Sequence, residues 1–448
     1  MNQYIVGLDI GTTKIACFIG ERADNNKLRI LGFGKAPSAG VEHGVVKNIR
    51  FTADAIRQAV TDASDMANCE VNEVYVGIAG QHIKSQSNRG SVMIQNHLIE
   101  EQDIQRLIDD QYHLNLGPGE EIIHVFPQEY TVDGELLGVD MEPVGVAGKR
   151  LEATFHIVTG NITNISHIRD AVHEAGLHVK GVVLEPIASA FAVLDNNDKE
   201  AGVALVDIGG GTTDIAIFKD GIIRHTSVLP LAGNVITKDI QESCNILKHQ
   251  AESLKTRFGS CLPTNVSQTD VISIPGIRGQ NPREISLKAL AGIIRARMQL
   301  ILEQVAYEIE LSGYGKNLIA GIVLTGGGSE LRDVKSLAEF FIGSNSRIGI
   351  PDEHLDKEGS NPFDNISHPM YATGIGLVIY GLLQTEQQAK QQIAEESTTS
   401  PQTEPEPTSP STDTHPTDKH KKEKDANLSD KLSQFFSRIF TDDQIEDE

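Results

Sequence analysis

Val206-Asp207-Ile208-Gly209-Gly210-Gly211-Thr212-Thr213-Asp214 and Leu8-Asp9-Ile10-Gly11-Thr12-Thr13-Lys14 are two versions of one phrase. In each, an apolar run ends in an aspartate and a Gly/Thr turn follows. A second apolar run then begins, Ile15 to Ile19 in one copy and Ile215 to Phe218 in the other. These residue types suit phosphate. Glycine has no Cβ, so its backbone can approach an anion closely. Successive turn N–H groups form an anion-binding concavity. The hydroxyls of Thr12, Thr13, Thr212 and Thr213 add donors, and Lys14 adds a positive charge. Asp9 and Asp207 place carboxylates where Mg²⁺ and its waters would sit beside phosphates. A single turn of this kind is also an ordinary hairpin. Two copies, far apart in the chain, imply two half-molecules facing each other across a nucleotide. The phrase is not a Walker A loop, because no G-x-x-x-x-G-K-[ST] occurs, and no G-x-G-x-x-G opens a helix after a strand.

A third glycine turn accompanies the pair. Gly321 to Thr325 reads as a buried strand leading into Gly326-Gly327-Gly328-Ser329. An amphipathic helix is expected from Glu330 to Ile342, with Ser329 as its N-cap. Three consecutive glycines would let a flat ring lie against the backbone, whereas a plain strand–helix turn needs one. Further on, Glu252 and Lys255 stand one helical turn apart. By spacing alone they form an ordinary surface ion pair.

The elements that must position these groups follow a repeated order. Strands are expected at Tyr4–Ile10, Lys14–Gly20 and Arg29–Gly34, then a helix at Phe51–Ala67 and a strand at Glu73–Ile78. The second half repeats this with Gly202–Asp207, Asp214–Lys219, Ile222–Leu229, a helix from Gly233 and the strand before Gly326. Between the halves lies an insertion with a helix at Glu100–His113 and strands at Glu121–Val132 and Arg150–Val158. Residues 240–312 read as largely helical, with Leu287, Leu290, Ile293, Ile294, Leu300, Ile301 and Val305 at helical spacing. Tyr371–Leu383 is apolar and glycine-rich, but too short to span a bilayer, so it reads as a core helix.

Composition excludes several classes. A net charge of −23 opposes nucleic-acid binding, which needs clustered Lys and Arg. The cysteines at 17, 69, 244 and 261 have no C-x-x-C spacing and read as reduced cytosolic thiols. The chain enters a strand at Tyr4 without a charged-then-apolar leader. The fifteen histidines show no metal-ligand spacing.

The C-terminal end changes character. Residues 394–427 are rich in Ser, Thr, Pro, Glu, Gln and Lys, which cannot bury enough surface to offset the entropy of ordering. A disordered linker is expected there, with a reach of roughly 30–35 Å. Leu428, Leu432, Phe435, Phe436, Ile439 and Phe440 then fall on one face of a helix over 428–440. That face suits a bilayer surface, where the helix would form, with Lys431 and Arg438 snorkelling to the headgroups. Docking on a protein is the alternative. The tail 441–448 carries five acids, which anionic lipid repels.

The order phosphate hairpin, Glu185-Pro186-Ile187-Ala188, second phosphate hairpin, Ala251-Glu252-Ser253-Leu254-Lys255, then Gly326-Gly327-Gly328 resembles the actin / Hsp70 / sugar-kinase ATPase superfamily. Within it, Phe126 to Gly134, Leu231 to Ile240 and the tail resemble the FtsA family of bacterial cell-division proteins. The resemblance covers roughly residues 1–385 and resumes at the last helix. It implies an α/β, actin-like fold of two ribonuclease-H-like domains around a nucleotide cleft. Subdomain 1A would comprise 1–82, 163–200 and 361–393, with subdomain 1C inserted at 83–162. Subdomain 2A would comprise 201–239 and 313–360, with 2B at 240–312. No insertion large enough for actin's 1B stands between Ile30 and Phe51.

The resemblance also implies site roles. ATP and Mg²⁺ would occupy the cleft, with Asp9 and Asp207 holding the metal's waters. Glu185 would orient the attacking water; read without the family it is a helix-start acid. Glu252 and Lys255 would meet the ribose and adenine side, and Gly233 and Asn234 the phosphates. Ala232 departs from the pattern, since relatives often carry another glycine there. The implied function is an ATP-binding protein that polymerises and tethers FtsZ to the cytoplasmic membrane at the septum, with slow or vestigial hydrolysis. FtsZ would bind through 2B, other divisome proteins through 1C, and membrane lipids through the tail helix. A small-metabolite kinase explains the nucleotide site but not the linker and tail. A PilM-like pilus assembly protein shares the fold and insertion but not the tail arrangement.

Overall fold

The computed structural model describes residues 4–138, 141–276, 281–352, 354–356 and 366–398. The first half opens with β1 (Ile5–Ile10), β2 (Lys14–Arg22) and β3 (Leu28–Pro37), followed by the two-residue strands β4 (Val41–Glu42) and β5 (Val45–Val46). Helix α1 (Ile49–Ala67) starts where Asn48 Oδ1 accepts the Phe51 N–H, and stops at Asn68, whose φ of 50° is left-handed. Its buried stripe of Thr52, Ile56, Ala59 and Ala63 packs on β2 and β3. Strand β6 (Glu73–Ile78) then runs parallel to β1.

The insertion holds β7 (Lys84–Met93), α2 (Glu101–Tyr112), β8 (Glu120–Val132), β9 (Glu135–Leu136) and β10 (Arg150–Asn161). Asp103 closes a capping box with Glu100 at the start of α2. The sheet order β7-β10-β8-β9 carries its own core, including Leu107, Leu151, Phe155 and Ile157. The chain returns through α3 (Ile162–Glu174), β11 (His178–Leu184), α4 (Glu185–Val193) and α5 (Asn196–Ala201).

The second half begins with β12 (Val203–Ile208), β13 (Thr213–Lys219) and β14 (Ile222–Leu229). Helices α6 (Gly233–Cys244) and α7 (Lys248–Phe258) follow, then β15 (Val271–Ile274), β16 (Arg283–Ser286) and the long α8 (Leu287–Leu311). Strand β17 (Gly321–Thr325), α9 (Val334–Ile342) and β18 (Ser346–Ile348) complete it, and α10 (Ala372–Thr398) crosses back to the first half.

The duplication is explicit in the sheets. The first is ordered β11-β6-β1-β2-β3 and the second β18-β17-β12-β13-β14. In both, the first strand pairs antiparallel with the second and parallel with the fourth. The fifth strands β11 and β18 were not expected; β18 is three residues long and leaves no readable alternation. Helices α4 and α10 pack between the halves, in a core joining Phe18 and Ile375 with Val203 and Phe218. The insertion touches both halves. His124 Nε2 accepts the Leu184 N–H at 3.1 Å, and His156 Nε2 lies 3.0 Å from Thr226 Oγ1 on β14.

Several expected bounds change. The helix after the third glycine turn starts at Val334, not Glu330. Gly327–Glu330 is a short 3₁₀ turn, and Ser329 Oγ donates back to the Gly326 carbonyl at 2.7 Å instead of capping a helix. Leu331 is extended so that its side chain reaches the second-half core. The mainly helical region 240–312 also contains the β15–β16 hairpin. Helix α10 continues to Thr398, past the expected linker start at residue 394; Ala394, Glu395 and Glu396 are good helix formers, and Pro401 is the first breaker. The rest of the linker, the helix expected at 428–440 and the tail 441–448 lie outside the described residues. No described helix is long and apolar enough to cross a membrane.

Candidate nucleotide site

One cleft between the halves gathers most of the chemistry. It is lined by Asp9, Gly11, Thr12, Thr13, Lys14 and Glu185 from the first half. The second half supplies Asp207, Gly209, Gly210, Gly211, Thr212, Gly233, Glu252, Lys255 and the glycines 326–328. Each aspartate sits where an apolar central strand meets its turn, so the buried sheet holds the carboxylate still.

The two hairpins meet face to face. A Cβ on Gly210 would lie 2.3 Å from Thr13 Cγ2, and one on Gly211 2.3 Å from Thr12 Oγ1. Glycine is therefore required at both positions by the approach of the other half. The Gly233 and Asn234 N–H groups donate to the carbonyls of Gly209 and Gly210 at 3.0 and 2.8 Å, seating the start of α6 on the second hairpin.

Two expected contacts are corrected. Thr213 does not line the cleft: its side chain is fully buried and its hydroxyl donates to the Leu231 carbonyl at 2.7 Å. Strand alternation is the reason, since Thr212 and Asp214 point to the cleft and the residue between them points away. Asn234 does not line it either, and its tie to the second hairpin is through backbone.

The third turn divides its glycines. Gly326 has a φ of +80°, and a Cβ there would lie 2.2 Å from Asp207 Oδ1. A Cβ on Gly328 would lie 2.4 Å from Ile208 Cγ2. Both are needed for packing. At Gly327 the nearest atom is Met370 Cβ at 3.7 Å, an ordinary contact, so this position alone of the three leaves open room in the cleft.

The carboxylates are crowded. Asp207 Oδ2 accepts from Ser189 Oγ on α4 at 2.6 Å and from Thr373 Oγ1 on α10 at 3.3 Å, which ties the second half to helices of the first. Asp214 Oδ2 accepts from Thr212 Oγ1 at 2.9 Å, while its buried Oδ1 has no hydrogen-bond partner among the described residues. Burial, then Asp214, Asp9 and Asp207, holds Glu185 well above the usual carboxylate range, with Lys14 opposing. Burial, then Asp207, does the same for Asp214. Lys14 Nζ bridges to Asp9 Oδ2 at 2.9 Å; burial works against its charge, but Asp9 and Asp207 outweigh it, and its pKa is raised.

Such a cluster opposes its own ionisation and leaves one oxygen orphaned, and a cation would relieve both. Among the described residues, no three His, Cys, Asp or Glu side chains are placed to ligate a metal directly. The donor set therefore fits a hydrated divalent ion held through its waters and a ligand's phosphates. Asp214 belongs to this set although sequence reasoning assigned it no role. Its place two residues after Thr212, on the same strand face, was the available signal. Gly44, Met370 and Thr373 also line the cleft from distant segments, with no local pattern to mark them.

Lys255 is not a surface residue. Its Nζ is buried, donates to the Gly233 carbonyl at 3.0 Å and Thr237 Oγ1 at 2.8 Å, and pairs with Glu252 at 2.9 Å. It locks α7 onto the start of α6 at the cleft wall.

Comparison with known proteins agrees with this architecture. The model of the cell division protein FtsA family matches residues 204–376, and that of the SHS2 domain inserted in FtsA matches 80–159. The cell division protein FtsA of Pseudomonas aeruginosa is 39% identical over 380 residues, covering 85% of this chain and 89% of that protein. That of Escherichia coli is 34% identical over 386 residues, covering 85% and 90%. The chain belongs to the FtsA family. The FtsA insertion matched at 80–159 coincides with the β7-β10-β8-β9 sheet. An Hsp70 model matches residues 164–227, from α3 through the second hairpin. The PilM–PilN type IV pilus biogenesis complex superposes with a TM-score of 0.62 at 15% identity, covering 85% of this chain and 99% of the other, which shows a shared fold. The fold of this FtsA-family chain is thus that of the actin-like ATPases and implies nucleotide binding.

Proposed function

We propose that this protein binds ATP with Mg²⁺ in the cleft, polymerises through its actin-like body, and tethers FtsZ to the cytoplasmic membrane at the division septum. The observation that carries the nucleotide part is the face-to-face seating of Gly210 and Gly211 on Thr13 and Thr12, around four crowded carboxylates. A triphosphate entering there meets turn N–H groups from both halves, and the metal offsets its charge beside Asp9 and Asp207. Gly11 and Gly209 would let the two turns wrap the phosphates. Glu252 and Lys255 would stand on the ribose and adenine side, and the ring would lie over Gly327. Glu185 would orient water for slow hydrolysis.

The adaptor part rests on the family and on the tail. FtsZ would meet subdomain 2B, over 240–312, and other divisome proteins the insertion. The face formed by Leu428, Leu432, Phe435, Phe436, Ile439 and Phe440 would lie in the inner leaflet, with Lys431 and Arg438 at the headgroups. One helix binds weakly; a polymer presents many at once, and multivalency holds the assembly on the bilayer. Co-pelleting with FtsZ, with and without liposomes and ATP, tests the proposal. FtsZ should enter the liposome pellet only when this protein is present. FtsZ remaining in the supernatant under every condition would refute the tether. ADP formation should not rise on adding candidate sugars, and a rise with the phosphoryl group recovered on the sugar would favour a kinase instead.

A further inference from the structure

A two-residue turn between β3 and α1 reaches the mouth of the cleft. Strands β4 and β5 pair as a minimal hairpin, and its tip residues His43 and Gly44 have φ of +49° and +73°. Two positive φ values in a two-residue loop are those of a type I′ turn. The tip is braced from behind. Val45 and Val46 are buried, and a Cβ on Gly44 would lie 2.9 Å from the Ala79 carbonyl oxygen. From this position the turn touches both phosphate hairpins. The Gly44 N–H donates to Thr12 Oγ1 at 3.2 Å, and His43 Nδ1 lies 3.1 Å from the Gly211 carbonyl oxygen. A carbonyl only accepts, so the bond requires the proton on Nδ1.

His43 belongs to the first half and Gly211 to the second. The bonds from Ser189 and Thr373 to Asp207 join the halves through helices α4 and α10, and those from the insertion reach β14. His43 makes its bond to the phosphate hairpin itself, from an exposed position. We infer that His43 is a positioning residue for nucleotide, tying the second phosphate hairpin to the first half so that a bound triphosphate leaves only after this tie opens. The inference rests on the nucleotide reading of the cleft. It gives the short segment where actin carries a whole subdomain a task that its length does not suggest.

The test is the dissociation rate of a fluorescent ATP analogue from the full chain, with Mg²⁺, chased by excess unlabelled ATP. His43→Gly removes the imidazole and keeps the left-handed turn. His43→Asn places an amide N–H where Nδ1 stood and also tolerates that backbone. Release from His43→Gly should be about fivefold faster than wild type, the worth of one net hydrogen bond. Release from His43→Asn should stay within about twofold of wild type. Wild-type release from His43→Gly would overturn the inference, as would His43→Asn behaving like His43→Gly. A wild-type chain that binds no nucleotide would instead overturn the reading of the cleft, and this inference with it.

Discussion

A glycine scan at 326–328 separates packing from ligand contact. The three residues are identical in sequence but not in surroundings. A methyl at 326 meets Asp207 Oδ1 at 2.2 Å on a backbone with φ +80°, and one at 328 meets Ile208 Cγ2 at 2.4 Å. Overpacking of this kind costs about 1–3 kcal/mol, and a left-handed Cβ adds about 1–2 kcal/mol at 326. For a domain of this size each kcal/mol lowers the melting temperature by about 2–4 °C. Gly326→Ala and Gly328→Ala should therefore melt several degrees early. At 327 the nearest atom is 3.7 Å away, so Gly327→Val should melt within about 2 °C of wild type. Its side chain would nonetheless occupy the place proposed for the adenine ring. ATP affinity should fall at least about tenfold, or 1.4 kcal/mol. ADP should be weakened alike, with or without Mg²⁺. Thermal melting followed by circular dichroism and nucleotide titration by calorimetry read the two quantities. Unchanged ATP affinity in Gly327→Val, or a melting loss equal to that at 326 and 328, would refute the reasoning.

Three further outcomes are expected. Burial first, then Asp207, raises the Asp214 pKa, so the folded chain holds that proton more tightly than the unfolded chain does. Its ionisation therefore costs stability above the unfolded carboxylate value of about 3.9, increasingly so until the folded value is passed. Asp214→Asn should raise the nucleotide-free melting temperature, more at pH 8 than at pH 5, while weakening Mg²⁺-dependent ATP binding; a lower melting temperature at pH 8 would contradict this. Lys255→Met removes the charged donor to the Gly233 carbonyl and Thr237 Oγ1 and leaves Glu252 only the Thr237 hydroxyl, which should cost about 1–3 kcal/mol in denaturant unfolding and loosen nucleotide. Phe436→Glu should abolish liposome flotation and leave ATP affinity unchanged, and residues 427–448 should hold a fused dimer on liposomes far better than a fused monomer. If the Phe436→Glu chain still floats, the helix docks on protein rather than lipid.

Local patterns carried much of the fold. Alternation and glycine placement located both hairpins and most strands, because a strand's period and a turn's φ are set by neighbours in sequence. They also located Asp9 and Asp207, since a carboxylate at the end of an apolar strand has one direction to point. The same period would have turned Thr213 inward and Asp214 toward the cleft had it been applied along β13. The fifth strands were illegible because three residues, or a strand interrupted by a bulge, leave too short a record.

What the sequence by itself determined is the duplication, the pair of phosphate turns and the chemical types available to them. Only the tertiary structure decided how those types are used. Gly326 and Gly328 are glycines because Asp207 and Ile208 press on them, while Gly327 is open. Lys255 is buried and structural, although its spacing reads as a surface pair. Ser189, Thr373 and His43 reach the second half's hairpin from segments with no motif of their own. The reason is physical. Conformational preference is short-ranged and written residue by residue, whereas burial, carboxylate crowding and the meeting of two hairpins arise when distant segments share one small volume.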